Sequence, residues 1–142
     1  MIDAPTIPAR VFCDTSFFYS CLDPRDVFHP RGAELARKAI DAGTVLSSTW
    51  DVVSETLTLL RYRCGYAAAM DFLDSIRPSL DLVLYGHETR ASAEDLFRRY
   101  ANTRRLSFCD AISIVVVTTL LDNIPCLSFD LDFPALGLKV FP

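Results

Sequence analysis

The sequence predicts a single α/β domain in which helices cover both faces of a mostly parallel sheet. Three observations carry this expectation. Short apolar runs alternate with helix-like segments along most of the chain. At 142 residues the chain is long enough for one substantial core and needs no second domain. Acids also close the strand-like runs, at the strand ends where open α/β sheets bind ligands.

Residues 1–9 lack the basic and apolar regions of a signal peptide, so a short flexible arm and a cytoplasmic location are expected. The domain proper is placed at 10–142. Arg10-Val-Phe-Cys ends in Asp14, and Thr15-Ser16 then leads into Phe17, which reads as strand, sharp turn and helix start. Asp23 to Pro30 is turn-rich, with His29 a loop or capping residue rather than a catalytic one. From Gly32 to Gly43 the spacing of Leu35, Ala36, Ala39 and Ile40 predicts a helix with a glycine stop.

Thr44 to Ser48 reads as the second strand and Thr49 as the N-cap of a helix over Trp50 to Tyr62. Its apolar face is Val52, Val53, Thr56, Leu57 and Leu60, with Glu55 beside it. A helix over Tyr66 to Ile76 stops at Arg77-Pro78, a strand covers Leu80 to Tyr85, and a polar helix covers Glu88 to Tyr100. After a loop from Asn102 to Ser107 comes a helix, apolar almost all round, that runs to Leu121 and ends at Asp122-Asn-Ile-Pro125. Cys126 to Phe129 is the fourth strand, Asp130-Leu-Asp132-Phe133 a turn, and Leu138 to Phe141 a last strand.

Composition narrows the function. The longest nearly uncharged apolar run, Ala111 to Leu121, is far short of the ~20 residues that span a bilayer. A net charge of −4 argues against nucleic-acid binding by bulk electrostatics. A local basic patch stays open, because every basic residue except Lys38 and Lys139 is an arginine, with pairs at Arg61/Arg63, Arg98/Arg99 and Arg104/Arg105. Solvated helix faces would account for the same pairs. The 5 cysteines are odd in number, form no C-x-x-C and lie mostly among apolar residues, so they read as reduced and structural.

Asp110 is the residue that burial does not call for, since it opens the most apolar helix of the chain. Ser107-x-x-Asp110 is also a capping-box pattern, and one carboxylate can cap the helix while facing a cleft. Its company gives the second role weight: Asp14 and Asp130 stand at strand ends, and Glu55 interrupts an apolar helix. If the first and fourth strands are neighbours, these acids converge where the winding of the sheet reverses. Carboxylates crowded together raise one another's pKa, and a divalent cation relieves the repulsion.

An all-oxygen site suits Mg²⁺ or Mn²⁺ better than zinc, whose His and Cys ligands are not clustered here. With no Ser-His-Asp set, P-loop or Gly-rich dinucleotide loop in the sequence, such a site points to phosphoryl chemistry with a metal-activated water. Ser16 and Ser128 are candidates for holding the ligands in place, or else plain turn residues.

Asp14-Thr-Ser16 after a strand, Ser54-Glu55, Phe108-Cys-Asp110-Ala-Ile, and Ser128-Phe-Asp130-Leu-Asp-Phe133 before Gly137-Leu-Lys-Val together resemble the PIN domain family, particularly its VapC-type toxins. The resemblance runs from Arg10 to the C-terminus and rests on the order of the motifs more than on any one of them. It implies a five-stranded parallel sheet and a Mg²⁺- or Mn²⁺-dependent ribonuclease, often a homodimer, with a cognate antitoxin in the toxin branch. Carried over residue by residue, the metal ligands and catalytic acids are Asp14, Glu55, Asp110 and Asp130, with Asp132 a weaker candidate.

Within the family, an RNA-processing nuclease or a structure-specific DNA nuclease would use the same acids. A haloacid-dehalogenase phosphatase would want a second acid where Ser16 stands, and a phospho-receiver domain a late lysine followed by a helix, which Lys139 is not. A non-catalytic binding domain, with the acids as caps and solvated faces, is the remaining alternative.

Overall fold

The computed structural model describes residues 5–142. Of the expected arm, residues 1–4 lie outside the described residues. Ile7 is buried in the core, Thr44 Oγ1 donates to the Pro8 carbonyl at 2.9 Å, and Val45 N donates to the Ala9 carbonyl at 2.9 Å.

Among the described residues the sheet has four parallel strands in the order β3-β2-β1-β4: β1 (Arg10–Cys13), β2 (Val45–Ser48), β3 (Asp81–Leu82) and β4 (Cys126–Leu127). Val11, Phe12 and Cys13 of β1 are all fully buried. Successive strand side chains point to opposite faces, so both faces of the sheet are covered at its centre.

The fifth strand expected over Leu138 to Phe141 is absent as a strand. It is reduced to one parallel bridge, Cys126↔Val140, in which Cys126 N donates to the Lys139 carbonyl and Phe141 N to the Cys126 carbonyl. The physical reason is the shortness of β4. After Leu127 the chain turns away through Ser128 to Asp130, which leaves no edge for a longer ladder. The strands expected over 80–85 and 126–129 are shortened to two residues each.

Among the described residues, seven α-helices join and flank these strands: α1 (Thr15–Leu22), α2 (His29–Ala42), α3 (Trp50–Arg63), α4 (Tyr66–Asp71), α5 (His87–Tyr100), α6 (Phe108–Leu120) and α7 (Asp132–Ala135). A π-helical turn (Phe72–Ile76) continues α4 and a 3-10 turn (Arg77–Ser79) ends it at Pro78, where a missing N–H stops the ladder. Gly43 caps α2 in the left-handed region, as its glycine stop predicts. Gly32 serves packing instead. A Cβ there would lie 2.0 Å from Ser20 Oγ, so the close approach of α2 to α1 needs a glycine.

Helix α6 explains its own composition. Every residue from Ala111 to Val117 is buried, as α6 packs against α5 and α3. On the other side Phe18 of α1 meets Phe72 edge-on at 5.2 Å. The chain goes from β1 to β2 on one side and places β4 on the other, so the carboxyl ends of β1 and β4 frame the crevice where the winding reverses.

Candidate active site

Asp14 is the first residue past β1 and the N-cap of α1, its Oδ1 accepting from Phe17 N at 3.1 Å. The local sequence requires this arrangement: an aspartate at the N-cap satisfies an orphan N–H of the first turn. Two serines hold the same carboxylate. Ser16 Oγ donates to Asp14 Oδ1 at 2.7 Å, and Ser128 Oγ donates to Asp14 Oδ2 at 2.7 Å.

Each serine oxygen also accepts from the backbone after β4. Phe129 N donates to Ser16 Oγ at 2.9 Å and Asp130 N to Ser128 Oγ at 3.0 Å. The hydroxyls therefore bolt the end of β1 to the turn after β4, doing with side chains what the short ladder does not. Asp130 completes that turn, its Oδ1 accepting from Asp132 N at 2.9 Å.

Asp110 lies at the start of α6 in a complete capping box. Its amide donates to Ser107 Oγ at 3.0 Å, and its Oδ2 accepts from Ser107 N at 3.1 Å. Glu55 is exposed in the second turn of α3, whose N-cap Thr49 accepts from Val52 N at 3.3 Å. Thr56 Oγ1 donates to Thr15 Oγ1 at 3.4 Å and fixes α3 against the start of α1.

Asp14, Glu55, Asp110 and Asp130 all line one cleft of ≈ 400 Å³. Asp132 does not line it; Arg104 pairs with this carboxylate at 3.0 Å. A larger depression of ≈ 540 Å³ between α3 and α4 is lined by residues such as Leu57, Tyr62 and Met70 and carries no carboxylate, so size does not mark the chemistry here.

Electrostatics separates these acids from ordinary surface ones. Burial pushes Asp14 up to about 7, against its serine and backbone hydrogen bonds, and the charge of Asp110 adds to the rise. Burial also lifts Asp110 to about 6, helped by the charges of Asp130 and Glu55. Asp130 is raised by burial and by Asp132. The neighbouring Cys109 thiol is driven up by burial and by Glu55, which makes it an unreactive packing residue.

Such an acid set fits a hard divalent cation by donor chemistry, since every candidate ligand is a carboxylate oxygen. Among the described residues no three His, Cys, Asp or Glu side chains are drawn together tightly enough to coordinate one ion.

The cleft also contains residues that the sequence did not single out. Asp26 lines it from the loop before α2, which read as turn because its prolines and acids carry no periodicity. The loop is held at its base, where the Tyr19 hydroxyl and Arg25 N donate to Asp23 and bring its carboxyl down to about 2. His29 Nδ1 bonds the Ser20 carbonyl at 2.7 Å, a structural role.

Of the paired arginines, Arg63 and Arg105 line the cleft. Arg98 is tied to Glu94 and Asp95 on the open face of α5, as a solvated helix face predicts. Phe28 and Phe129 stack in parallel, centroids 4.6 Å apart, and both line the cleft.

Comparison with known proteins bears on the family and the fold. The PIN domain family matches residues 11–139. Among solved structures, VapC20 of Mycobacterium tuberculosis, described as a Sarcin-Ricin loop cleaving toxin, superposes with a TM-score of 0.78 at 27% identity. The match covers 92% of this chain and 98% of that one. A comparison with curated proteins finds no match. The motif order, the reversed winding at β1 and β4, and a family match over nearly the whole chain lead to one conclusion: this chain belongs to the PIN domain family, with a VapC-type toxin among its structural relatives.

Proposed function

We propose that this protein is a Mg²⁺- or Mn²⁺-dependent endoribonuclease of the toxin type, which hydrolyses RNA phosphodiester bonds in the acid cleft. One observation carries the reading: Asp14, Glu55, Asp110 and Asp130, brought in by separate parts of the chain, line the same cleft together with Asp26 and two arginines. The likeness to a toxin that cleaves an RNA loop supports RNA as the substrate. In this reading Asp14, Glu55, Asp110 and Asp130 are the metal ligands and catalytic acids.

A divalent cation bound there would activate water and stabilise charge on the phosphate. The chain's own residues do the rest. Ser16 and Ser128 fix both oxygens of Asp14, and the capping box fixes Asp110, so the acids are positioned before substrate arrives. Arg63 and Arg105 face the phosphates, for which the guanidinium fork is suited. The acids repel the RNA backbone as long as they are uncompensated, so cation and substrate binding are coupled.

The toxin reading also brings a cognate antitoxin protein, a homodimer and a cytoplasmic setting. No helix among the described residues is long and apolar enough to cross a membrane. Purified protein, freed of any partner, should cleave a mixed cellular RNA pool with Mn²⁺ or Mg²⁺ and stop on adding EDTA. Cleavage that persists in EDTA, or that Asp110→Asn leaves intact, rejects the assignment.

A further inference from the structure

The acids account for cleavage, yet the rim of the cleft carries a feature they do not need. Phe28, the last residue before α2, is 44% exposed at the rim of the cleft. Its ring stacks on Phe129 with an interplanar angle of 7°. Parallel stacking covers one face of Phe28, so the exposed face is the outer one.

The pair is built into the site and is not a loose contact. Phe28 N donates to Asp26 Oδ2 at 3.2 Å, and the Phe28 carbonyl accepts from Gly32 N at 2.8 Å. Phe129 N donates to Ser16 Oγ, the hydroxyl that holds Asp14 Oδ1. A single serine thus separates the lower ring's backbone from Asp14, the most buried of the four site acids.

We propose that Phe28 and Phe129 form a nucleobase-stacking platform, which receives an unpaired base of the RNA while its phosphate lies among the acids, Arg63 and Arg105. The inference rests on the nuclease reading and deepens it by naming the substrate class. A ring that takes a base as the third layer of its stack requires that base to be unpaired, so loops and single strands bind and continuous duplex does not. Stacking tolerates any base identity, because every base has a π-face.

The test uses the full chain carrying Asp110→Asn and a single-stranded RNA oligonucleotide containing 2-aminopurine, whose fluorescence is quenched by stacking. Saturable quenching is expected with Phe28 present. Binding about tenfold weaker, with loss of quenching, is expected for Phe28→Ala and Phe28→Leu. Phe28→Tyr should restore both, and the Leu and Tyr pair keeps the test valid if the alanine variant does not fold.

Equal affinity and quenching in Phe28→Leu overturns the platform. The nuclease reading then still stands, provided that the chain with Asp110 cleaves RNA in a metal-dependent way. Absence of both RNA binding and cleavage overturns the nuclease reading and the platform together.

Discussion

Ser128 Oγ donates to Asp14 Oδ2 at 2.7 Å, joining residues 114 positions apart in the sequence. The same oxygen accepts from Asp130 N, so one hydroxyl sets the relative position of two of the four acids. Ser128→Ala leaves a buried carboxylate oxygen and an amide without this partner. We expect a loss of about 1–3 kcal/mol in urea unfolding and a cleavage rate lower by about 10–100-fold. Unchanged values in both would make the bond incidental.

Asp110→Asn separates the two roles of that residue. The amide oxygen can still accept from Ser107 N, so the capping box survives in part and stability should change by no more than about 1 kcal/mol. Cleavage should fall by at least about 100-fold, since even the partners of a metal ligand cost about 10–100-fold. Wild-type cleavage by a folded variant would reduce Asp110 to a cap.

The pH dependence of stability follows from Asp14. Its carboxyl titrates near 3.8 when unfolded and at about 7 in the fold. Between these values the native state holds the extra proton, so stability falls as pH rises from about 4 to about 7 and then levels. Asp110, lifted to about 6, acts in the same direction. Asp23 has the opposite sign but a separate window, its contribution being lost as pH falls from about 4 through about 2.

Thermal scans in EDTA should therefore show a melting temperature that declines from about pH 5 to about pH 7.5, more steeply than in Asp14→Asn. A divalent cation needs the ionised acids, so the rise it causes should be larger at about pH 8 than at about pH 5. An equal rise at both would place metal binding elsewhere.

Arg105→Ala should weaken RNA binding at every sequence tested and flatten its salt dependence, with a slope of log affinity smaller by about 0.7–0.9 for each phosphate left without its guanidinium. Arg98→Ala, whose guanidinium is already paired with Glu94 and Asp95, should change neither. Identical slopes in the two variants would remove Arg105 from the substrate path.

How far the sequence could be read depended on whether a signal was local. Thr49, Ser107 and Gly43 mark helix ends by capping chemistry that acts within four residues, and each stands where its pattern predicts, whereas Asp14, legible as a strand end, also caps a helix that starts two residues earlier than expected. The adjacency of β1 and β4 entered only as a condition and became the pivot of the site. The fifth strand failed because an apolar alternation at Leu138 to Phe141 says nothing about the length of its partner, and β4 is too short.

Asp26, Phe28 and Arg63 reach the cleft by the path of a loop and by helix phase relative to distant elements. No periodicity encodes either. Asp132, the weaker candidate in the sequence, stays outside the cleft and pairs with an arginine 28 positions away.

Whether the separated acids form one cation site is tested most directly by Mn²⁺ binding to metal-free protein at about pH 8, followed by electron paramagnetic resonance. Saturable binding at the cleft is expected, weakened at least about tenfold by Asp14→Asn and by Asp110→Asn alike. No saturable binding, or binding that both variants leave untouched, would contradict a shared site and return the four acids to structural roles.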